Sequence, residues 1–545
     1  MLTPEWKVAH MVQPEELKSQ AYQLWWRGRG VDVWAMLCAS ITGDLETIKS
    51  LVARHPNLID CEFEYFKPIR FAVRENHRAV LDFLLEHGAD PAFEAGDSLV
   101  TIARDRGYSE LTALLESTLN DRYRVSPEGT AVAEAIKSRD VARVRDLIDK
   151  NPELVHKADA RGNQPIHWAV MTRQIELIDY LLARGADINA RRPGGIRPVH
   201  LTNGDYHYRG WRDLPSTALQ RHEALIGYLL ARGADYDMTI ATKLGDLDRV
   251  RELLEQDPSL IHQAPKYSYY HGLPLRSAAG AGHVEVVKFL LERGADPNQP
   301  EPGIAPQGGA LHAAISGKHY EVVKLLLKHG ANPSAAVESS GNCLSMAKWS
   351  GAPKEIVDLI VSYGGVRTVE LVCHDGDLET LGQMLHADPQ LPVGEILDRP
   401  EIMNLILRYQ PDILKRSPDP TPWWSLATPK DPEFARSLMQ RGLDPNRPNW
   451  LGITLLHRCA AKGDIGIAEV CLEFGADINA LETDSCSTPL AVAARAGKKE
   501  IVEWLLNKGA DPKAPSDEPW TWPVEWAKRR GQAEIVNLIE THLKS

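Results

Sequence analysis

Apolar residues in this chain come in short runs at helical spacing, each closed by the same polar punctuation. In the stretch Gly452 to Ala480, Leu455, Leu456, Cys459 and Ala460 form one run. Ile465, Ile467, Ala468, Val470, Cys471 and Leu472 form the next. Each spacing predicts a short helix. Thr454 opens the first and Gly463 stops it, because glycine accepts the left-handed conformation at a helix end. Gly475 ends the second, and Ala-Asp-Ile-Asn leads into a turn. The closing Gly-Ala-Asp returns, in near copies, around Gly88, Gly185, Gly233, Gly294, Gly330, Gly442, Gly475 and Gly509. The last two intervals are 33 and 34 residues. That period predicts an array of stacked supersecondary units in which each unit packs on its neighbours, not a closed globule.

The openings of the units carry a second signature. Pro165-Ile166-His167, Pro198-Val199-His200, Pro274-Leu275-Arg276, Ala310-Leu311-His312 and Pro489-Leu490-Ala491 stand at matching positions. Weaker forms are Pro68-Ile69-Arg70, Pro422-Trp423-Trp424 and Pro523-Val524-Glu525. With the small residues and Gly-Ala-Asp that come after them, this resembles the ankyrin repeat over nearly the whole chain from Asp32 onward. The resemblance implies an all-α, helix-pair solenoid with finger-like turns, a curved array of about 14–16 units with a concave groove. It also implies a structural role for His167, His200, His312 and His457 on neighbouring backbone. Arg70 and Arg276 replace that histidine. An arginine there either points into the groove to hold a carboxylate or forms a salt bridge within the array.

A second kind of unit is interleaved. Gly43-Asp44-Leu45, Gly245-Asp246-Leu247 and Gly376-Asp377-Leu378 are each followed by a proline 13 residues after the glycine, at Pro56, Pro258 and Pro389. Arg139-Asp140-Val141 with Pro152 is a looser copy. Proline cannot continue a helix, so these units close differently. They divide the chain into an N-terminal cap at 1–31, with a helix expected over Pro14 to Trp26, and four blocks. The blocks are 32–126, 127–238 (with an insertion near 203–217), 239–367 and 368–545. The last ends in a capping helix from Ala533 to Leu543. Between Val393 and Pro420 the signal degrades, and an irregular helix pair is expected.

Function is sought where the repeat breaks its own rule. His167 to Glu176 and His312 to Glu321 span nine residues, whereas His200 to the equivalent Ala224 spans 24. The 15 extra residues include Tyr206, His207, Tyr208, Arg209, Trp211 and Arg212. A second cluster, Tyr267, Tyr269, Tyr270 and His271, occupies the finger before Pro274. Large side chains with a polar end anchor interfaces. These residues, with Arg276 and with Trp168 next to a consensus histidine, are the candidate binding site. Trp423, Trp424, Trp522 and Trp526 read instead as fillers of degenerate repeat cores.

Composition narrows the partner. The formal charge is −12, from 62 basic and 74 acidic residues, which argues against a general nucleic-acid binder. No segment is apolar enough to span a membrane, so no membrane partner is expected. Seven scattered cysteines without a CxxC pair suggest reduced thiols and a cytoplasmic location. No phosphate loop, dinucleotide fingerprint, nucleophile elbow or zinc-hydrolase helix is present, so no catalytic residue, metal or cofactor is assigned. Asp205 with His207, or His271 with Arg276, would make acid–base sets only if the fold joined them. The leading expectation is a non-catalytic scaffold that holds a protein or extended peptide in its groove. The alternative is a small-molecule binding protein or enzyme, its pocket for a sugar or aromatic acid closed by the Tyr206–Arg212 insertion.

Overall fold

The computed structural model describes the chain except residues 1–2, 24–25, 93–96, 206, 217–221, 264–271, 302–304, 306, 338–340, 423, 517 and 545, and the side chains of Trp211 and His222. The fold is all-α. Among the described residues, strand is confined to the two-residue segments Tyr22–Gln23, Gly28–Arg29, Ala336–Val337 and Gly341–Asn342. The chain forms two compact units. One comprises residues 1–22, 28–81 and 368–545, and the other 23–27 and 82–367.

The two helices of a repeat differ because their surroundings differ. In the first helix Pro165–Met171 every residue is buried, since it is flanked by neighbours and by its own partner. Its sequence is therefore apolar all round. The second helix Ile175–Ala183 buries only Leu177, Ile178 and Leu181, and so keeps helical periodicity.

Three hydrogen-bond ladders stitch one repeat to another and account for the motif. In the first, His457 Nδ1 accepts from the backbone N–H of Thr454, which leaves Nε2 to donate to the Ser487 carbonyl at 3.2 Å. His167 does the same between Gln164 and Ala190. Burial pushes His167 down to about 3 and His457 down to about 4, so both rings are neutral at pH 7. In the second, the asparagine after Gly-Ala-Asp reaches along the array. Asn446 Nδ2 donates to Gly475 O at 2.8 Å, and the Asp477 N–H donates back to Asn446 Oδ1 at 2.7 Å. In the third, a histidine before the second helix reaches back to the preceding unit. His283 Nε2 meets Lys243 O at 2.9 Å, and His319 Nε2 meets Gly280 O at 3.1 Å. Gly245 ends the helix Met238–Leu244 at φ +73°, and a Cβ there would meet the His283 ring at 2.5 Å. Both the turn and the approach require glycine.

The Pro-closed units keep the helix pair and change its exit. Asp44, Asp140, Asp246 and Asp377 cap their second helices. In the first three the chain then turns into a 3-10 helix, as at Pro152–His156 and Pro258–His262, whereas Pro389 opens only a turn.

The first helix of the chain is Pro4–His10, not the expected Pro14–Trp26. Thr3 caps it and Pro4 supplies a preset φ, whereas only a short 3-10 turn, Glu16–Lys18, comes after Pro14. The degraded stretch holds one helix, Pro400–Tyr409, and a 3-10 turn, Ile413–Lys415. Pro392 and Gly394 oppose a helix before it. Val393, Leu397, Ile402, Met403, Ile406, Leu407, Ile413 and Leu414 still pack into the core, and buried charge adds to that packing. Arg447 grips Glu395 through two bonds of 2.9 and 2.6 Å, and Arg458 holds Asp419 at 2.9 Å.

The same unit contains a long-range seam. Trp450 sits at a fingertip and is only 3% exposed. Its indole N–H donates to Glu64 Oε2 at 2.8 Å, and its ring lies edge-on to Phe63, Phe66 and Phe71. Beside it Asp484 receives Arg70 at 3.1 Å and Arg74 at 3.5 Å. Arg74 also pairs with Glu75, which takes Lys7 at 2.7 Å. Arg70 thus forms a salt bridge within the fold.

Candidate functional site

The candidate site lies in the unit of residues 82–367 and is built from inner-helix ends. The insertion interrupts the first helix of its repeat, which shrinks to a 3-10 turn, Pro198–Leu201. Gly204 turns the chain at φ +81°, and Asp205 organises the residues after it. One carboxylate oxygen of Asp205 accepts from the backbone N–H groups of His207 and Tyr208, and the other takes Arg192 at 2.7 Å. Burial opposes the charged form of Asp205, and Arg192 more than offsets it, so the carboxyl titrates below its ordinary range.

His207 is exposed, and Tyr208 is half-buried with its ring edge-on to Trp168 at 5.3 Å. Trp168 itself is buried, its N–H on Asp159 at 2.7 Å and the Lys137 ammonium 4.9 Å above its ring. The backbone N–H of Arg209 donates to Asp213, which also takes the Arg212 guanidinium, in the short helix Gly210–Asp213. Tyr206, Tyr267, Tyr269, Tyr270 and His271 lie outside the described residues, as does the side chain of Trp211. Arg276 is committed to the buried Glu301 at 3.2 Å, and Glu301 also accepts from the Leu273 N–H.

A groove of about 810 Å³ joins the two breaks. Asn203 and Gly204, where the insertion begins, line it together with Gly272 and Arg276, where the finger ends. Its floor is small and smooth: Gly280, Ala281, Ala313, Ser316 and Gly317. His200, His283, His312, His319, Glu223 and Met346 complete the walls. His200 is held by the Arg197 N–H and by Asp237 at 2.9 Å.

Two groups in the lining were not legible as site residues. No hydrogen bond or ion pair holds the Lys243 ammonium among the described residues. Burial, reinforced by Arg173 and opposed by Glu223, pushes it down to about 8. The Ser277 hydroxyl is buried with no hydrogen-bond partner among the described residues. The signal for Lys243 was its position: it precedes Gly245 by two, where the next repeats carry Gly280 and Ser316. Among the described residues no cluster of three or more His, Cys, Asp or Glu side chains is arranged to hold a metal ion.

Comparison with known proteins agrees with the hydrogen-bond ladders. A family model described as ankyrin repeats, in three copies, matches residues 99–192, 238–337 and 424–516, more than half of the chain. The chain belongs to the ankyrin-repeat family. Curated ankyrin-repeat relatives include alpha-latrocrustotoxin-Lt1a of Latrodectus tredecimguttatus, 26% identical over 190 residues, or 33% of this chain and 10% of that protein. Palmitoyltransferase AKR1 of Lachancea kluyveri is 27% identical over 29% of this chain and 22% of its own length. The human transient receptor potential cation channel subfamily A member 1 is 25% identical over 27% of this chain and 12% of its own. The chain therefore spans at most about a fifth of these relatives, and the likeness is confined to ankyrin-type repeats. No helix among the described residues is long and apolar enough to cross a membrane.

Proposed function

We propose that this ankyrin-repeat protein is a non-catalytic scaffold that holds an extended peptide segment of a partner protein in the groove between Asn203 and Met346. Ankyrin repeats generally mediate protein binding, and the local geometry supports the finer reading. The observation that carries it is the groove itself. The start of the insertion and the end of the aromatic finger, two independent departures from the repeat, border the same concave surface. Blocks 127–238 and 239–367 supply it. The small floor admits a main chain, and the insertion's Tyr208, Arg209 and Arg212 would hold side chains of that segment. The seven thiols of the chain fit a cytoplasmic site of action.

The test is selection of a random peptide library, displayed on phage, against the full chain. Enriched peptides should lose affinity for an Ala281→Trp variant whose circular dichroism and melting temperature match the parent. Peptides indifferent to that block would refute the groove. The groove volume also falls within the range of small-molecule sites. A metabolite that raises the melting temperature of the parent but not of Ala281→Trp would favour that second reading.

A further inference from the structure

Resting on the groove reading, we infer that the occupant is an acidic peptide segment whose carboxylates are received by Lys243 and by the basic inner-helix ends beside it. The chain as a whole is acidic, at −12. The inner-helix ends of this unit run against that balance: Arg139, Arg173, Lys243 and Lys318 all stand at or just before the turn between the two helices. Arg139 and Arg173 donate to the carbonyls of Thr172 and Thr202 of the following repeat. Each of those bonds uses one N–H of the guanidinium, and Arg173 also has Glu223 as a charge neighbour. Arg276 is neutralised by Glu301. The acidic group facing Lys243 is Glu223, and no ion pair joins the two among the described residues.

Lys243 is the decisive residue. A half-buried ammonium that no described carboxylate bonds is costly, and a carboxylate from outside relieves that cost while gaining a charge-assisted hydrogen bond. The floor beside it presents Gly280, Ala281 and Gly317, so a main chain can approach closely. The Ser277 hydroxyl is buried beside this floor without a partner among the described residues. Met346 lines the far end of the groove, and Trp349, on the same helix Cys343–Trp349, is 48% exposed. An apolar residue flanking the acidic stretch therefore has a seat there. A nucleic acid would present anions too, but one lysine is not the basic stripe that a phosphate backbone needs.

The experiment uses the same displayed library on the full chain, followed by fluorescence anisotropy of the enriched peptides made synthetically. The enriched set should be rich in Asp and Glu. Affinity should fall at least about tenfold in Lys243→Met, hold in Lys243→Arg, and weaken with salt. A single-stranded oligothymidylate should not compete. Enriched peptides that are neutral or basic, or acidic ones indifferent to Lys243→Met, overturn the proposal. So does an oligothymidylate that displaces them. The Ala281→Trp arm separates the two readings. If neutral peptides are enriched and that block removes them, the groove stands and the acidic occupant falls. If the block removes nothing, the groove itself falls.

Discussion

Replacing Trp450 should loosen residues nearly four hundred positions away. The side chain is almost fully buried, touches three phenylalanines edge-on and donates one hydrogen bond to the Glu64 carboxylate. Trp450→Ala removes all of this. Truncating a buried tryptophan costs about 3–5 kcal/mol, and a hydrogen bond to a charged group accounts for roughly 1.5–3 of such a loss. Trp450→Phe keeps most of the ring and loses only the N–H, so it should cost about 1.5–3 kcal/mol. In a stacked array the damage stays near the lost interface. It should therefore appear in the segments Gly30–Thr42 and Pro68–Arg74, which the seam ties to the C-terminal repeats. Hydrogen exchange read by mass spectrometry tests this. Amides of those helices should exchange at least about a hundredfold faster in Trp450→Ala and at least about tenfold faster in Trp450→Phe. If they exchange as in the parent while Leu455–Lys462 and Ile465–Glu473 accelerate, Trp450 serves only its own repeat and the seam carries no stability.

Three further outcomes are expected. Arg447→Met strands Glu395 in the interior, while Arg458 still holds Asp419, and should cost about 3–5 kcal/mol in urea unfolding; a loss under about 1 kcal/mol would mean that water already reaches Glu395. His167 and His457 are neutral when folded, with pKa depressed to about 3 and 4, while unfolded histidine titrates near 6.5. The unfolded chain therefore binds more protons below that pH, so their contribution is full above about 6.5 and is lost as pH falls, by roughly 2 kcal/mol per ring at pH 5. His167→Asn should flatten that slope between pH 7 and 5, and an unchanged slope would contradict the burial of a neutral ring. Lys243 should acetylate with a rate midpoint near pH 8, about two units below ordinary lysines, in a pulse-labelling experiment read by mass spectrometry; a midpoint near 10 would mean that the ammonium is solvated and has no need of an acidic ligand.

The sequence exposes the scaffold because each ladder is local. His457 finds Ser487 and Asn446 finds Gly475 within one period, so their spacing repeats and can be read. The irregular stretch obeyed no period because its buried apolar residues come from one helix and the irregular segments around it, and nothing in a linear pattern pairs Glu395 with Arg447. The site was half legible. Inserted residues and an aromatic finger announce themselves by breaking the count. The groove's own lining does not, since Gly280, Ser316 and Lys243 are simply what each repeat places at one position.

Trp450 was legible in principle. The finger turn Asp159-Ala160-Arg161-Gly162 is built on Asp159, which accepts from the N–H groups of Arg161 and Asn163. Asn449-Trp450-Leu451-Gly452 is the same turn, with Asn449 accepting from Leu451 and Ile453. Where Ala160 is exposed, Trp450 is nearly inaccessible. A tip that should face solvent thus carries the largest side chain available. An apolar residue at a solvent-facing position implies a cover, and in this unit the cover is the chain's own residues 63–71. The groove presents the opposite case. Lys243 is a charged residue at a position that neighbouring repeats keep small, and none of the described residues forms an ion pair with it. One misplaced side chain has found its partner within the molecule, and the other is left to find it outside.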